Sequence, residues 1–167
     1  NCVVNLLKSC PSESLNTRKE LLVATRHILA TDFRNGFFTQ IDTLLMTSVR
    51  FVPISHEKQL NTNTQNTQVL IGEGRSSYDT LRPLAYSTLA DLVHHMRAKL
   101  DMKQLGNIIF LFSRNIHDPS LPLTIQTTSV RLLLNLVDNI FHNKDPEKDK
   151  GRDLLVRILY TLVNKFK

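Results

Sequence analysis

Six histidines, two cysteines and a scatter of carboxylates are the residues of this 167-residue chain that could do chemistry. His94 and His95 come first to hand, because paired imidazoles can hold a metal. Neighbours on a helix point about 100° apart, so these two cannot close on one ion as an HxxxH pair would. Counted along the helix, His94 falls opposite the apolar stripe and His95 on its flank, which reads as two surface imidazoles beside a core. His27, His56, His117 and His142 are isolated by the same test. Cys2 and Cys10 share one short apolar stretch, with no CxxC and no His pair at ligand spacing, and read as reduced thiols of an intracellular protein. Gly72-Glu73-Gly74-Arg75-Ser76 follows no clear strand and supplies no Lys, so it does not read as a phosphate cradle. The Walker, dinucleotide, nucleophile-elbow and HExxH patterns do not occur. Asp91 and Asp138 sit on separate helices and read as solvated or capping carboxylates, not as an acid–base pair. No catalytic, cofactor or metal site is expected, and the chain does not read as an enzyme.

The charge is more telling than the nucleophiles. Lys and Arg number 21 against 15 acidic residues, a net charge of +6. That balance suits an acidic partner. The basic residues are dispersed, without a block of like charge and without interleaved aromatics, which argues against a nucleic-acid surface. No run of 18 apolar residues is present to span a membrane. The chain opens at Asn1 on a helical pattern already running at Val3, and reads as a piece of a longer polypeptide.

Helices must position whatever these residues do. Residues 1–10 look like the end of a helix stopped before Pro11. A helix follows with Asn16 or Thr17 as N-cap and Glu20 closing a capping box, and carries Leu21, Leu22, Ile28 and Leu29. A further helix is expected after Asp32, with Phe33, Phe37, Ile41, Leu44, Leu45 and Val49 at spacings of three and four. Residues 52–76 change character. Asn61 to Gln68 is wholly polar and cannot offset its ordering entropy, so 52–76 is expected to be a flexible loop, with at most a scrap of strand near Val69. From Asp79 or Thr80 a capped helix has Pro83 in its first turn and a stripe of Leu81, Ala85, Leu89, Leu92 and Met96. The next carries Met102, Leu105, Ile109, Phe112 and Ile116 and stops at Asp118-Pro119. A helix from Pro122 to about Phe141 is apolar on two faces and should lie between neighbours. After a charged loop, Lys144 to Arg152, the last helix carries Leu154, Leu155, Ile158, Leu159, Leu162, Val163 and Phe166.

Two of these helices echo each other. Leu81 to Val93 lays over Ile125 to Val137, with Leu89-Ala90-Asp91-Leu92-Val93 falling on Leu133-Leu134-Asn135-Leu136-Val137, 44 positions on. A period of 40–47 residues marks HEAT or armadillo arrays, whose helix pairs bury a core only by stacking. The fold expected is all-α: one HEAT-type solenoid segment over 1–167, about six helices in antiparallel pairs. Leu89, Leu92, Ile109, Phe112, Leu133, Leu136 and Ile140 should be buried.

The residues also carry a resemblance. Ser77 to Arg97 (SYDTLRPLAYSTLADLVHHMR) and Asn115 to Asp138 (NIHDPSLPLTIQTTSVRLLLNLVD) resemble segments of the TRRAP/Tra family. Arg18 to Asp32 (RKELLVATRHILATD) and Gly151 to Arg157 (GRDLLVR) are similar to it too, in the same order along the chain. Ser48 to Gln68 departs from it with a longer polar loop. The resemblance implies a segment of the N-terminal HEAT solenoid of a very large pseudokinase of the phosphatidylinositol-3-kinase-related class. It implies a nuclear, non-catalytic scaffold of histone acetyltransferase complexes, of the SAGA and NuA4/TIP60 types. Its partners would be transcription activators, through their acidic segments, and subunits of the complex; no small-molecule substrate is expected, and direct nucleic-acid binding by the basic surface is a competing reading that the dispersed charge disfavours. The kinase-like and FAT regions are absent here, so no nucleotide-site residues carry over. The alternative is a generic protein-binding or transport-type HEAT solenoid. On either reading, Arg82, Arg97, Lys99 and Lys103 are the candidate contact residues for an acidic segment. Arg82 and Arg97 are about four turns apart on one side, and Arg97, Lys99 and Lys103 cluster at the turn into the next helix.

Overall fold

The computed structural model describes residues 2–11, 14–40, 44, 75–142 and 148–167. They form α1 (Cys2–Ser9), α2 (Leu15–Leu29), a 3-10 stretch (Asp32–Gln40), α3 (Arg75–Met96), a 3-10 turn (Arg97–Lys99), α4 (Met102–His117), α5 (Leu123–His142) and α6 (Lys148–Lys165). Strand is absent among the described residues, as the 3.6-residue periodicity requires. No helix among them is long and apolar enough to cross a membrane. The expected loop at 52–76 lies outside the described residues except for Arg75 and Ser76, which already belong to α3.

The sequence signals hold best where chemistry stops a helix. Asp101 caps α4 by accepting from the Gln104 N–H at 2.7 Å, while the Gln104 side chain accepts from the Asp101 N–H at 3.2 Å. Pro119 ends α4, and the turn 118–122 throws the chain back into α5. Four boundaries differ from expectation. α2 starts at Leu15, so Asn16 and Thr17 are inside it. The helix expected after Asp32 winds as a 3-10 segment as far as Gln40; Leu44 is α-helical, and Ile41, Leu45 and Val49 lie outside the described residues. Asn35 and Gly36, both poor helix formers, sit at the middle of the 3-10 segment, and the tighter winding leaves Phe33 exposed while Phe37 is buried. α3 begins at Arg75, which puts Pro83 inside the helix and not in its first turn. α6 begins at Lys148, within the stretch expected to be loop.

The helices stack in two layers. Arg26 of α2 bridges Asp91 of α3 at 2.9 Å, near the C-terminal ends of both, so these helices run the same way. α3 and α5 also run together, since Arg82 and Gln126, each near the start of its helix, reach the same 118–121 turn. The echo now has a physical basis. Leu81, Ala85, Thr88, Leu89, Leu92 and Met96 are buried on α3, and Ile125, Ser129, Leu132, Leu133, Leu136 and Ile140 are buried 44 positions on. The Arg26–Asp91 pairing spans 65 positions, about 20 more than the repeat, an excess close to the length of the polar segment between α2 and α3.

α4 and α6 make the second layer. Gly106 lies under Leu154 and Ser113 accepts from the Thr161 hydroxyl at 3.2 Å, so these two helices are also parallel, 48 positions apart. α5 runs antiparallel to α6, because Lys165 near the end of α6 reaches Gln126 at the start of α5 at 2.8 Å. Thus α5 touches α3, α4 and α6, the sandwiched position its two apolar faces required. All seven residues expected in the core are buried. A Cβ on Gly106 would stand 3.7 Å from Leu154 Cδ2, an ordinary contact. Gly106→Ala is therefore expected to raise stability by about 0.5–1 kcal/mol, measured by denaturant unfolding, because it removes backbone freedom from the unfolded chain. A loss of stability would mean that α4 and α6 sit closer than this.

Candidate interaction surface

Arg82 leaves the surface. It is buried, its Nη1 donates to Ser120 Oγ at 2.9 Å, its Nη2 donates to Asp118 Oδ2, and its guanidinium lies 5.6 Å from the Tyr86 ring centre. It cannot project beside Arg97, because its charge is satisfied inside the protein by an acid 36 residues away. The partner is Asp118, which also accepts from the Ser120 hydroxyl and backbone N–H. Burial pushes the Asp118 carboxyl up, but the bonds from Ser120 and Arg82, and the Arg82 charge, together hold it below the usual carboxylate range. Gln126, the α5 counterpart of Arg82, donates from Nε2 to the carbonyls of Asp118 and Leu121, each at 3.0 Å. The repeat therefore uses equivalent positions to grip one turn from both sides. Arg18 is a second hidden cation: it donates to the carbonyls of Leu7 at 3.2 Å and Cys10 at 2.8 Å, closing the C-terminal end of α1.

The other three candidate residues do face solvent at one end of α3. Arg97 is half-buried and donates to the His94 carbonyl at 2.6 Å, where the negative end of the helix favours a cation. Lys99 is exposed and donates to Asn35 Oδ1 at 3.0 Å, and Lys103 is exposed on the first turn of α4. The 3-10 stretch adds Arg34 to them. His95 reports the crowding. Partial burial lowers its pKa first, and then Arg34, His94 and Arg97 lower it further against the opposing pull of Asp91. Arg34 could not be found from local spacing, since it arrives from about 60 residues away.

The basic character continues along α4. Lys103, Phe110, Arg114 and His117 are all exposed and fall within about 60° of one another around the helix. The Arg114 guanidinium lies 5.9 Å from the Phe110 ring centre. Aromatic and basic residues therefore do interleave here, contrary to the sequence reading, at the i,i+4 spacing that helical geometry makes adjacent. Arg157 of α6 closes the far side of an open groove of about 470 Å3 lined also by Ser113 and Asp118. The spacing 103, 110, 114, 117 was a legible signal; Arg157 was not. A cationic strip around an exposed ring can seat carboxylates beside an apolar anchor. No cluster of three or more metal-ligating side chains forms among the described residues.

Residues 1–167 match in full the family model for the Tra1 HEAT repeat central region. The chain belongs to the TRRAP/Tra family. The matching region is the central HEAT stretch of that family, not the N-terminal stretch that the resemblance suggested. The human transformation/transcription domain-associated protein is 45% identical over 98% of this chain, and the fruit-fly transcription-associated protein 1 is 43% identical over the same share. The SAGA complex/NuA4 acetyltransferase complex subunit TRA1 of Saccharomyces cerevisiae is 37% identical over 99% of it. The chain spans about 4% of the length of each of these relatives. Within the family frame, the described helices are part of a HEAT-repeat region.

Proposed function

We propose that this chain is a non-catalytic scaffold segment of a nuclear histone acetyltransferase coactivator complex of the SAGA or NuA4/TIP60 type. Its basic strip receives acidic segments of transcription activators or of sister subunits. The observation that carries this reading is the convergence of Arg34, His94, Arg97 and Lys99 at the end of α3, continued along α4 by Lys103, Phe110 and Arg114. Long-range attraction from such a strip gathers an acidic chain, and the exposed ring gives a hydrophobic side chain somewhere to dock. Family membership and the names of the relatives point to the same class of assembly. The transport-type alternative loses its footing with the family assignment.

The test reverses Arg97, Lys99 and Lys103 to Glu in the complete protein and measures binding of an acidic activation segment across a salt series. Affinity is expected to fall at least tenfold and the salt dependence to flatten, with helicity unchanged. Affinity and salt slope that both stay put would show these residues to be solvated only. Duplex DNA is the control for a nucleic-acid surface: binding with a steep salt slope would favour phosphate contacts instead.

A further inference from the structure

The groove between α4 and α6 carries more positive charge than its walls use. Arg114 and His117 stand on α4 and Arg157 on α6, all three exposed, around a space of about 470 Å3 that Phe110, Ser113 and Asp118 also line. The 48-residue offset between these parallel helices sets Arg157 level with the turn that holds Phe110. The Arg114 guanidinium lies 5.9 Å from the Phe110 ring centre, and neither it nor Arg157 forms an ion pair among the described residues. Asp118, the acid among the lining residues, is already matched: it accepts from Ser120 and from Arg82, whose charge offsets its own. Two cations on opposite walls of one groove repel until an anion lies between them.

The kind of cation selects the kind of anion. A carboxylate carries a single charge and pairs edge-on with one guanidinium fork. A phosphate monoester carries nearly two charges at neutral pH and three acceptor oxygens, so it can engage forks from two sides at once. The phosphodiester of a nucleic acid has one charge and would leave two arginines half used. The Phe110 ring, 43% exposed beside Arg114, offers an apolar side chain a place, which a free phosphate does not need.

We propose that this groove seats a phosphorylated serine or threonine of a partner protein. The phosphate lies between Arg114 and Arg157 with His117 at its edge, and a neighbouring apolar side chain of the partner rests on Phe110. The proposal builds on the reading of the basic strip as a protein-docking surface, and states what one end of that strip selects.

The experiment uses the complete protein and four fluorescent peptide pools with degenerate acidic and apolar flanks. The central residue is serine, glutamate, phosphoserine or phosphothreonine. The phosphorylated pools are expected to bind about tenfold more tightly than the glutamate pool. Arg114→Ala and Arg157→Ala, both at exposed positions, should each erase that preference with helicity unchanged. Reversing Arg97, Lys99 and Lys103 to Glu should instead weaken all pools alike and keep the preference. Equal affinity for the phosphorylated and glutamate pools would overturn the inference and leave the acidic-segment reading standing. Failure of all four pools to bind would overturn both. A preference that survives both alanine substitutions would place the phosphate elsewhere and overturn it too. So would a single-stranded RNA that binds more tightly than the phosphorylated pools and is lost in the same variants, because the groove would then hold a nucleic-acid backbone.

Discussion

Truncating Leu136 to alanine is expected to destabilise the fold by roughly 2–5 kcal/mol, the largest single-residue loss in this segment. Leu136 has 0% of its surface exposed. It lies on α5, which packs against α3, α4 and α6 at once. The cost has two parts: the lost transfer of three carbons from water, and the cavity left where neighbours cannot close in. Full burial on a helix packed against three others leaves little room for collapse, which favours the upper half of the range. Leu134→Ala is the internal control. Leu134 sits two residues away on the exposed side of the same helix, and its truncation should cost less than about 0.5 kcal/mol in this segment alone. Denaturant unfolding measures both. A loss below about 0.5 kcal/mol at Leu136 would mean that α5 is not sandwiched.

How far the sequence went depends on which physical signal each residue carries. Helix interiors were legible, because a buried stripe must repeat every three or four residues whatever it packs against. The stop at Asp118-Pro119 was legible because proline forbids the helical conformation to the residue before it. The 44-residue echo revealed the stacking of α3 on α5, since equivalent helices need equivalent buried faces. What failed was anything decided across the fold. Pro83 fits a first turn by local rules, yet α3 extends to Arg75. The stretch after Asp32 shows apolar spacing that suits an α-helix, yet its first part, Asp32–Gln40, winds as 3-10, while Leu44 is α-helical as expected.

Charged residues were the least legible of all. The helical wheel gives the side from which a residue projects, not what stands opposite. By that measure Arg82 looked like Arg97, and the structure separates them: one meets Asp118 inside, the other meets solvent beside Arg34. The same blindness hid the useful half of the surface. Arg157 joins the α4 strip only because α6 runs parallel to α4, a fact of stacking that no local window contains.

Removing Asp118 is expected to be the second most damaging change. Asp118→Ala should cost about 2 kcal/mol, the usual scale for losing hydrogen bonds to a charged partner. The substitution strips Arg82 of its acid in a buried site, and it also frees Ser120 and so loosens the turn that Gln126 grips from the other helix. The pH dependence separates this role from mere packing. The folded state holds the Asp118 carboxyl below its ordinary value of 3.8. A carboxyl lowered in this way stabilises the fold above its unfolded pKa, and loses that contribution as pH falls through the folded pKa. Stability measured by denaturant unfolding should therefore drop between about pH 4 and pH 2 in the parent protein. Asp118→Asn should start lower at pH 7 and lose less across that window, since its amide cannot titrate. Parallel curves for the two proteins would mean that the Arg82–Asp118 pair adds nothing to stability, and that the turn is held by other contacts, among them the bonds from Gln126 and from Arg82 to Ser120.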